Sequence, residues 1–242
     1  MKSNTMYRRS VIAVIGVVLL ILTATIASAK NPNPGVLPPN SHSFGMTYGE
    51  WSAAWWQWAL SIPVDENPLL DSTGENCDVG QSGKVWFLAG TFGGSVEREC
   101  TVPAGKAIFF PIVNTECDDV APFPPPFPQP PFLAECAQFF IDHATVVEAT
   151  VDGVPLQNVD MYRVQSPPPS FTIDLPDNNV FLVPGPVSGS AVSDGFWILL
   201  APLSKGEHII HFRGVLSFPE PELNFTFETE VTYHLTVAPR KR

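Results

Sequence analysis

From Phe225 to Val237 apolar side chains stand at nearly every second position (Phe225, Phe227, Val231, Tyr233, Leu235, Val237) and polar ones lie between them. A period of two sustained that long predicts a strand of an antiparallel sheet with one wet face. The same period, punctuated by Gly, Pro and Asn, predicts further strands at 84–89, 107–113, 145–151, 162–165, 171–175, 180–183, 196–200 and 208–216. Many strands joined by short turns predict a mainly β fold, an antiparallel β-sandwich of immunoglobulin-like or jelly-roll-like kind.

One stretch breaks that period. Tyr48, Trp51, Trp55, Trp58 and Ile62 recur at steps of three and four, which aligns them on one stripe of a helix. Thr47 and Glu50 form a capping box before it and Pro63 ends it, so a Trp-rich N-terminal helix spans 48–62. A short second helix is expected over 133–143. Pairing the strand at 208–216 with the final one through a turn at 219–222 sets Phe212 opposite Thr229 and Ile210 opposite Val231. Its polar face then opposes Glu207 to His234, His211 to Glu230 and Arg213 to Glu228.

The N-terminus reads differently. Lys2, Arg8 and Arg9 precede the apolar run 11–22, and Ala27-Ser28-Ala29 offers a cleavage site, so 1–29 reads as a signal peptide. The alternative is an uncleaved anchor, the one route by which the chain would touch a membrane. Residues 30–46 begin Pro-rich and read as an extended linker. The span 47–238 reads as one sandwich domain, with an internal division near 144 as the alternative. The mature protein is expected outside the cytoplasm: secreted, periplasmic or at the cell surface. In that compartment Cys77, Cys100, Cys117 and Cys136 imply two disulfides, with sequence neighbours paired in the preferred connectivity. Three of the 13 Lys and Arg lie in the signal, leaving ten against 24 Asp and Glu, which argues against a nucleic-acid partner.

Candidate chemistry is sparse. Indole and phenol rings stack on sugar faces and cations, so Tyr48, Trp56, Trp86 and Trp197 are the ligand-binding candidates. The three indoles among them lie off the main stripe or on strands, where partial exposure is expected; the stripe itself reads as core. Glu116, Asp118 and Asp119 could offer oxygen ligands to calcium, as could Asp71, Glu75 and Asp78, but neither set has EF-hand spacing. No other cofactor is indicated. Glu97 and Glu99 share a face of an extended segment, the arrangement an acidic glycosidase would use, without evidence of a facing cleft. No Gly-x-Ser-x-Gly, His-Glu-x-x-His, Cys-x-x-Cys or phosphate-cradling loop occurs, so no catalytic residue is assigned. Between Cys117 and Cys136 seven prolines favour polyproline II, read first as a disulfide-held loop and second as a docking strap.

The segments YGEWSAAWWQWALSIP, GKVWFLAGTFGG and CTVPAGKAIFFPIVN resemble those of a group of uncharacterised exported bacterial proteins, over roughly residues 45–114. That resemblance implies export and carries no activity, cofactor or site. VEATVDGVPLQN and DGFWILLAPLSKGEHIIHFRG are similar to the strand-and-turn pattern of immunoglobulin-like sandwich modules, which concerns fold alone. The leading expectation is a non-enzymatic binding or envelope-associated structural protein whose partner is a glycan or another surface protein. An extracytoplasmic carbohydrate-active enzyme using acidic residues is the alternative. Oligomeric state is left open.

Overall fold

The computed structural model describes residues 33, 35–219, 221 and 223–239. The signal-peptide reading and the first part of the linker lie outside them. Helix α1 (Tyr48–Ser61) starts where the capping box predicts: Thr47 accepts from the Glu50 N–H at 3.2 Å, and Glu50 accepts from the Thr47 N–H at 2.7 Å. The strands are β1 (Val85–Phe87), β2 (Gly94–Pro103), β3 (Ala107–Asp118), β4 (Ala144–Val151) and β5 (Val154–Pro155), then β6 (Phe171–Leu175), β7 (Val187–Leu200), β8 (Gly206–Phe218) and β9 (Phe225–Ala238). Helix α2 (Leu133–Asp142) precedes β4.

Two sheets pack together in a mainly β fold, one in the order β1-β3-β7-β6 and one in the order β2-β9-β8-β4-β5. Pairing is antiparallel except at one edge of each sheet, where β1 runs parallel to β3 and β2 parallel to β9. Phe110 and Phe212 stack between the sheets with centroids 5.2 Å apart. On the other face of the first sheet Phe109 stacks on Trp197 at 5.2 Å, and Trp55 meets Trp197 edge-on at 5.5 Å. Helix α1 therefore forms a third layer outside that sheet. Covered on both faces, β3 and β7 are buried almost without alternation, whereas β8 and β9 alternate buried and wet positions. Each buried indole removes about 150–250 Å² from water, roughly 4–6 kcal/mol of transfer free energy, which explains why a Trp-rich helix forms this layer.

Three expectations are corrected. Residues 180–183 form a turn, and 159–162 form a 3-10 turn from which only Arg163 bridges to Phe196. Strand β2 was absent from the periodic pattern because the buried Arg98 occupies one of its inward positions, beside Cys100 and Val102, and breaks the apolar alternation. In the β8–β9 hairpin the register is offset by two: Phe212 opposes Val231 and Arg213 opposes Glu230, since the strands run on to Phe218 and Phe225 and the loop is longer. Phe218 and Phe225 stack at 4.5 Å and fix that end. An offset of two keeps every side chain on its face. Arg213 still reaches Glu228 diagonally at 2.7 Å and His211 reaches Glu230 at 3.6 Å, while His234 turns to Glu97 at 3.7 Å and Glu207 accepts from Thr236.

Both neighbour disulfides form, Cys77–Cys100 and Cys117–Cys136, with Cα atoms 5.9 and 6.0 Å apart. Disulfide pairing of this kind is typical of extracellular proteins. Among the described residues no helix is long and apolar enough to cross a membrane.

Candidate functional site

Strand β1 stops at its pairing with Phe109, so beyond that point one edge of β3 has no strand neighbour. Pro111 suits that edge because it has no N–H to leave unpaired, and the ladder to β7 bulges just after it. The chain instead crosses to the other sheet through 88–93, and a cavity of about 300 Å³ remains between the bare edge and the end of the β8–β9 hairpin. At about 30 Å³ per water molecule this is room for roughly ten, at the lower end of the range of small-molecule sites.

The lining is aromatic. Phe218, Phe225 and Phe227 come from the hairpin, Phe92 and Phe181 from loops, and Phe123, Phe127 and Phe140 from the Pro-rich loop and α2. The Cys117–Cys136 disulfide ties the end of β3 to α2 across the base of that loop, and Phe123 and Phe127 rest on Phe140 at 4.5 and 4.7 Å. Phe92 and Phe225, 47% and 41% exposed, mark the mouth.

Four polar atoms of this largely apolar lining have no hydrogen-bond partner although they are buried: Trp56 Nε1 from α1, Asn114 Nδ2 and Glu116 Oε2 from β3, and Thr229 Oγ1 from β9. Leaving one such atom unpaired costs about 1–3 kcal/mol, so four around one cavity call for a ligand or ordered water. Burial pushes the Glu116 carboxyl well above the usual carboxylate range, and Asp118 pushes it further by its charge and by a side-chain hydrogen bond. The uncharged acid is the form this wall favours. Asp118 accepts from the Val120 and Ala121 N–H groups at 2.6 and 2.5 Å, which anchors the start of the Pro-rich loop.

The floor near the mouth is held by a buried cation. Arg98, 2% exposed, donates to the carbonyls of Asp71 (2.7 Å), Ala89 (2.9 Å) and Gly90 (2.9 Å) and to the Tyr233 hydroxyl (2.8 Å). Tyr233 in turn donates to the Ala89 carbonyl and accepts from the Ala89 N–H. Gly90, which lines the cavity, is thereby fixed from behind.

Of the four predicted ring residues only Trp56 borders this cavity. The expected partial exposure of Trp56, Trp86 and Trp197 is corrected to 6%, 5% and 0%: Trp56 sits on a helix covered by sheet and loops, Trp197 lies under that helix, and Trp86, alternating with the helix-facing Phe87, points into the space between the sheets. Tyr48 is buried as well and bridges Leu37 and Leu199 through its hydroxyl. Glu97 and Glu99 lie on the outer face of β2 and are exposed, with no cleft between them. The calcium candidates diverge. Glu116 faces the cavity, Asp118 caps its turn, and Asp119 accepts from the Ser190 N–H; among the described residues no three His, Cys, Asp or Glu side chains group to hold a metal. Sequence reasoning missed Asn114, Thr229, Arg98 and the phenylalanine wall. The one available signal was 17 Phe among 242 residues, with pairs flanking the Pro-rich loop and the final turn.

No family model, no curated protein and no solved structure matches this chain.

Proposed function

We propose that this chain is an extracytoplasmic, non-enzymatic binding protein that holds a small apolar molecule in the cavity between β3, the Pro-rich loop and the β8–β9 hairpin. The observation that carries this reading is the coincidence of eight phenylalanines and four unpartnered buried polar atoms around one cavity. An apolar pocket with a few polar groups is the usual form of a small-molecule site. Sugar stacking needs an exposed indole face, and the buried Trp56, Trp86 and Trp197 offer none, so the ligand class moves from glycan to apolar molecule. The signal-like N-terminus and the two disulfides support the location.

The test is native mass spectrometry of the full chain after incubation with a library of neutral one- and two-ring aromatic compounds. One molecule retained per chain, released on acid unfolding, is expected. A protein that retains none of the library contradicts the reading.

A further inference from the structure

The four unpartnered atoms specify the ligand's polar group. Trp56 Nε1 and Asn114 Nδ2 only donate, and Thr229 Oγ1 does either. A protonated Glu116 that gives its hydrogen to Asp118 presents its other oxygen, Oε2, as a carbonyl-like acceptor. The wall therefore offers donors and an acceptor together, and Trp56, Glu116 and Thr229 are each more than nine-tenths buried. No Lys, Arg or His lines the cavity, so a carboxylate would enter without a counter-ion. An ammonium would find no ionised carboxylate there while Glu116 is neutral.

From Trp56 Nε1, Asn114 Nδ2, Glu116 Oε2 and Thr229 Oγ1 around one phenylalanine-lined cavity, we propose that the ligand is an aromatic or otherwise apolar molecule bearing one neutral hydroxyl group. The hydroxyl donates to Glu116 Oε2 and accepts from the Asn114 N–H and the Thr229 hydroxyl, while the ring lies against the phenylalanines. This rests on the reading of the cavity as a ligand site and adds the identity of the head group. The nearest competing chemistry is an anion drawn by Arg98, whose guanidinium sits behind Gly90.

Titrating the full chain calorimetrically at pH 7 with naphthalene, 2-naphthol, 2-naphthoate and 2-naphthylmethylammonium separates these cases on one skeleton. We expect 2-naphthol to bind at least tenfold tighter than the other three. The preference over naphthalene falls to less than threefold in Thr229→Val and in Glu116→Leu, and survives in Glu116→Gln, which keeps a donor for Asp118 and a carbonyl for the ligand. If Glu116→Leu does not fold, Thr229→Val and Glu116→Gln carry the comparison. Equal binding of naphthalene and 2-naphthol overturns the head-group assignment, the polar atoms then serving bound water, and leaves the cavity reading intact. Tightest binding of 2-naphthoate overturns it in favour of the anion. Binding of none of the four overturns the cavity reading itself.

Discussion

Arg98 and Tyr233 are directly opposed in the parallel β2–β9 pair, and the guanidinium carbon of Arg98 lies 5.5 Å from the Tyr233 ring centroid. The contact joins the edge of one sheet to the loop that leaves the other. Burial raises the Tyr233 phenol above its ordinary value even though Arg98 pulls it down, so the hydroxyl remains a donor for Ala89.

Tyr233→Phe removes only that oxygen and leaves the Ala89 N–H without its partner, while the Ala89 carbonyl still accepts from Arg98 Nη1. A loss of about 1–3 kcal/mol is expected, read as a lower urea midpoint. Because the same bonds hold Gly90 at the cavity, ligand affinity falls too. Unchanged stability would mean that Arg98 alone holds the loop.

Glu116 gives a pH signature with a definite sign. Its folded-state pKa is raised, so between the unfolded value near about 4.3 and the higher folded value the native state binds more protons. This group's contribution is present at low pH and is lost as pH rises through that window. Glu116→Gln should therefore melt higher than the parent at pH 7, by about 2–4 °C for each kcal/mol recovered, with the gap closing by pH 4. A Gln variant that melts lower at pH 7, or a gap independent of pH, would show that the carboxyl is ionised in place.

The two disulfides should be separable by readout. Replacing Cys117 and Cys136 with Ala frees the loop that carries Phe123 and Phe127, costing about 3 kcal/mol and weakening ligand binding. Replacing Cys77 and Cys100 should cost a similar amount of stability with little effect on affinity, since neither borders the cavity. Denaturant melts and a ligand titration on both double variants check this.

Arg163 links the end of α2 to the first sheet, reaching Asp142 at 2.7 Å and Asp194 at 2.9 Å. Asp194 is only 3% exposed, so Arg163→Met strands a buried carboxylate and is expected to cost about 3–5 kcal/mol in guanidinium unfolding. Adding Asp194→Leu should recover part of that loss. No recovery would place the role of Arg163 in packing alone.

What could be read from the sequence was local. The Thr47 and Glu50 box, the alternation along β9 and the pairing of Cys77 with Cys100 and of Cys117 with Cys136 all join residues near in the chain or repeat at a fixed period. Register needed the Phe218 and Phe225 stack, which forms only in the fold, so the hairpin faces came out correctly while the pairing slipped by two. Strand β2 carries the buried Arg98 where an apolar residue would mark the alternation, and burial of Trp86 between the sheets and of Trp197 under α1 depends on layers that have no local signal. The cavity is further still from the sequence. Trp56, Gly90, Glu116, Phe123 and Thr229 come from five separate segments, and no spacing links them.

A ligand held in this cavity is displaced by a side chain that fills it, and Gly90 is placed to carry one. A Cβ there would lie 3.9 Å from Pro111 and from Thr229, ordinary contact, and Gly90 does not need a left-handed backbone. Gly90→Leu should therefore fold and fill the space. The measurement is a fluorescence titration of the full chain with the neutral dye N-phenyl-1-naphthylamine, with Met161→Gln at an exposed position away from the cavity as control. One dye per parent chain with brightened, blue-shifted emission, at least tenfold weaker binding in Gly90→Leu and no change in Met161→Gln is the predicted result. Equal binding by the parent and Gly90→Leu would contradict the account, because the dye would then be held elsewhere.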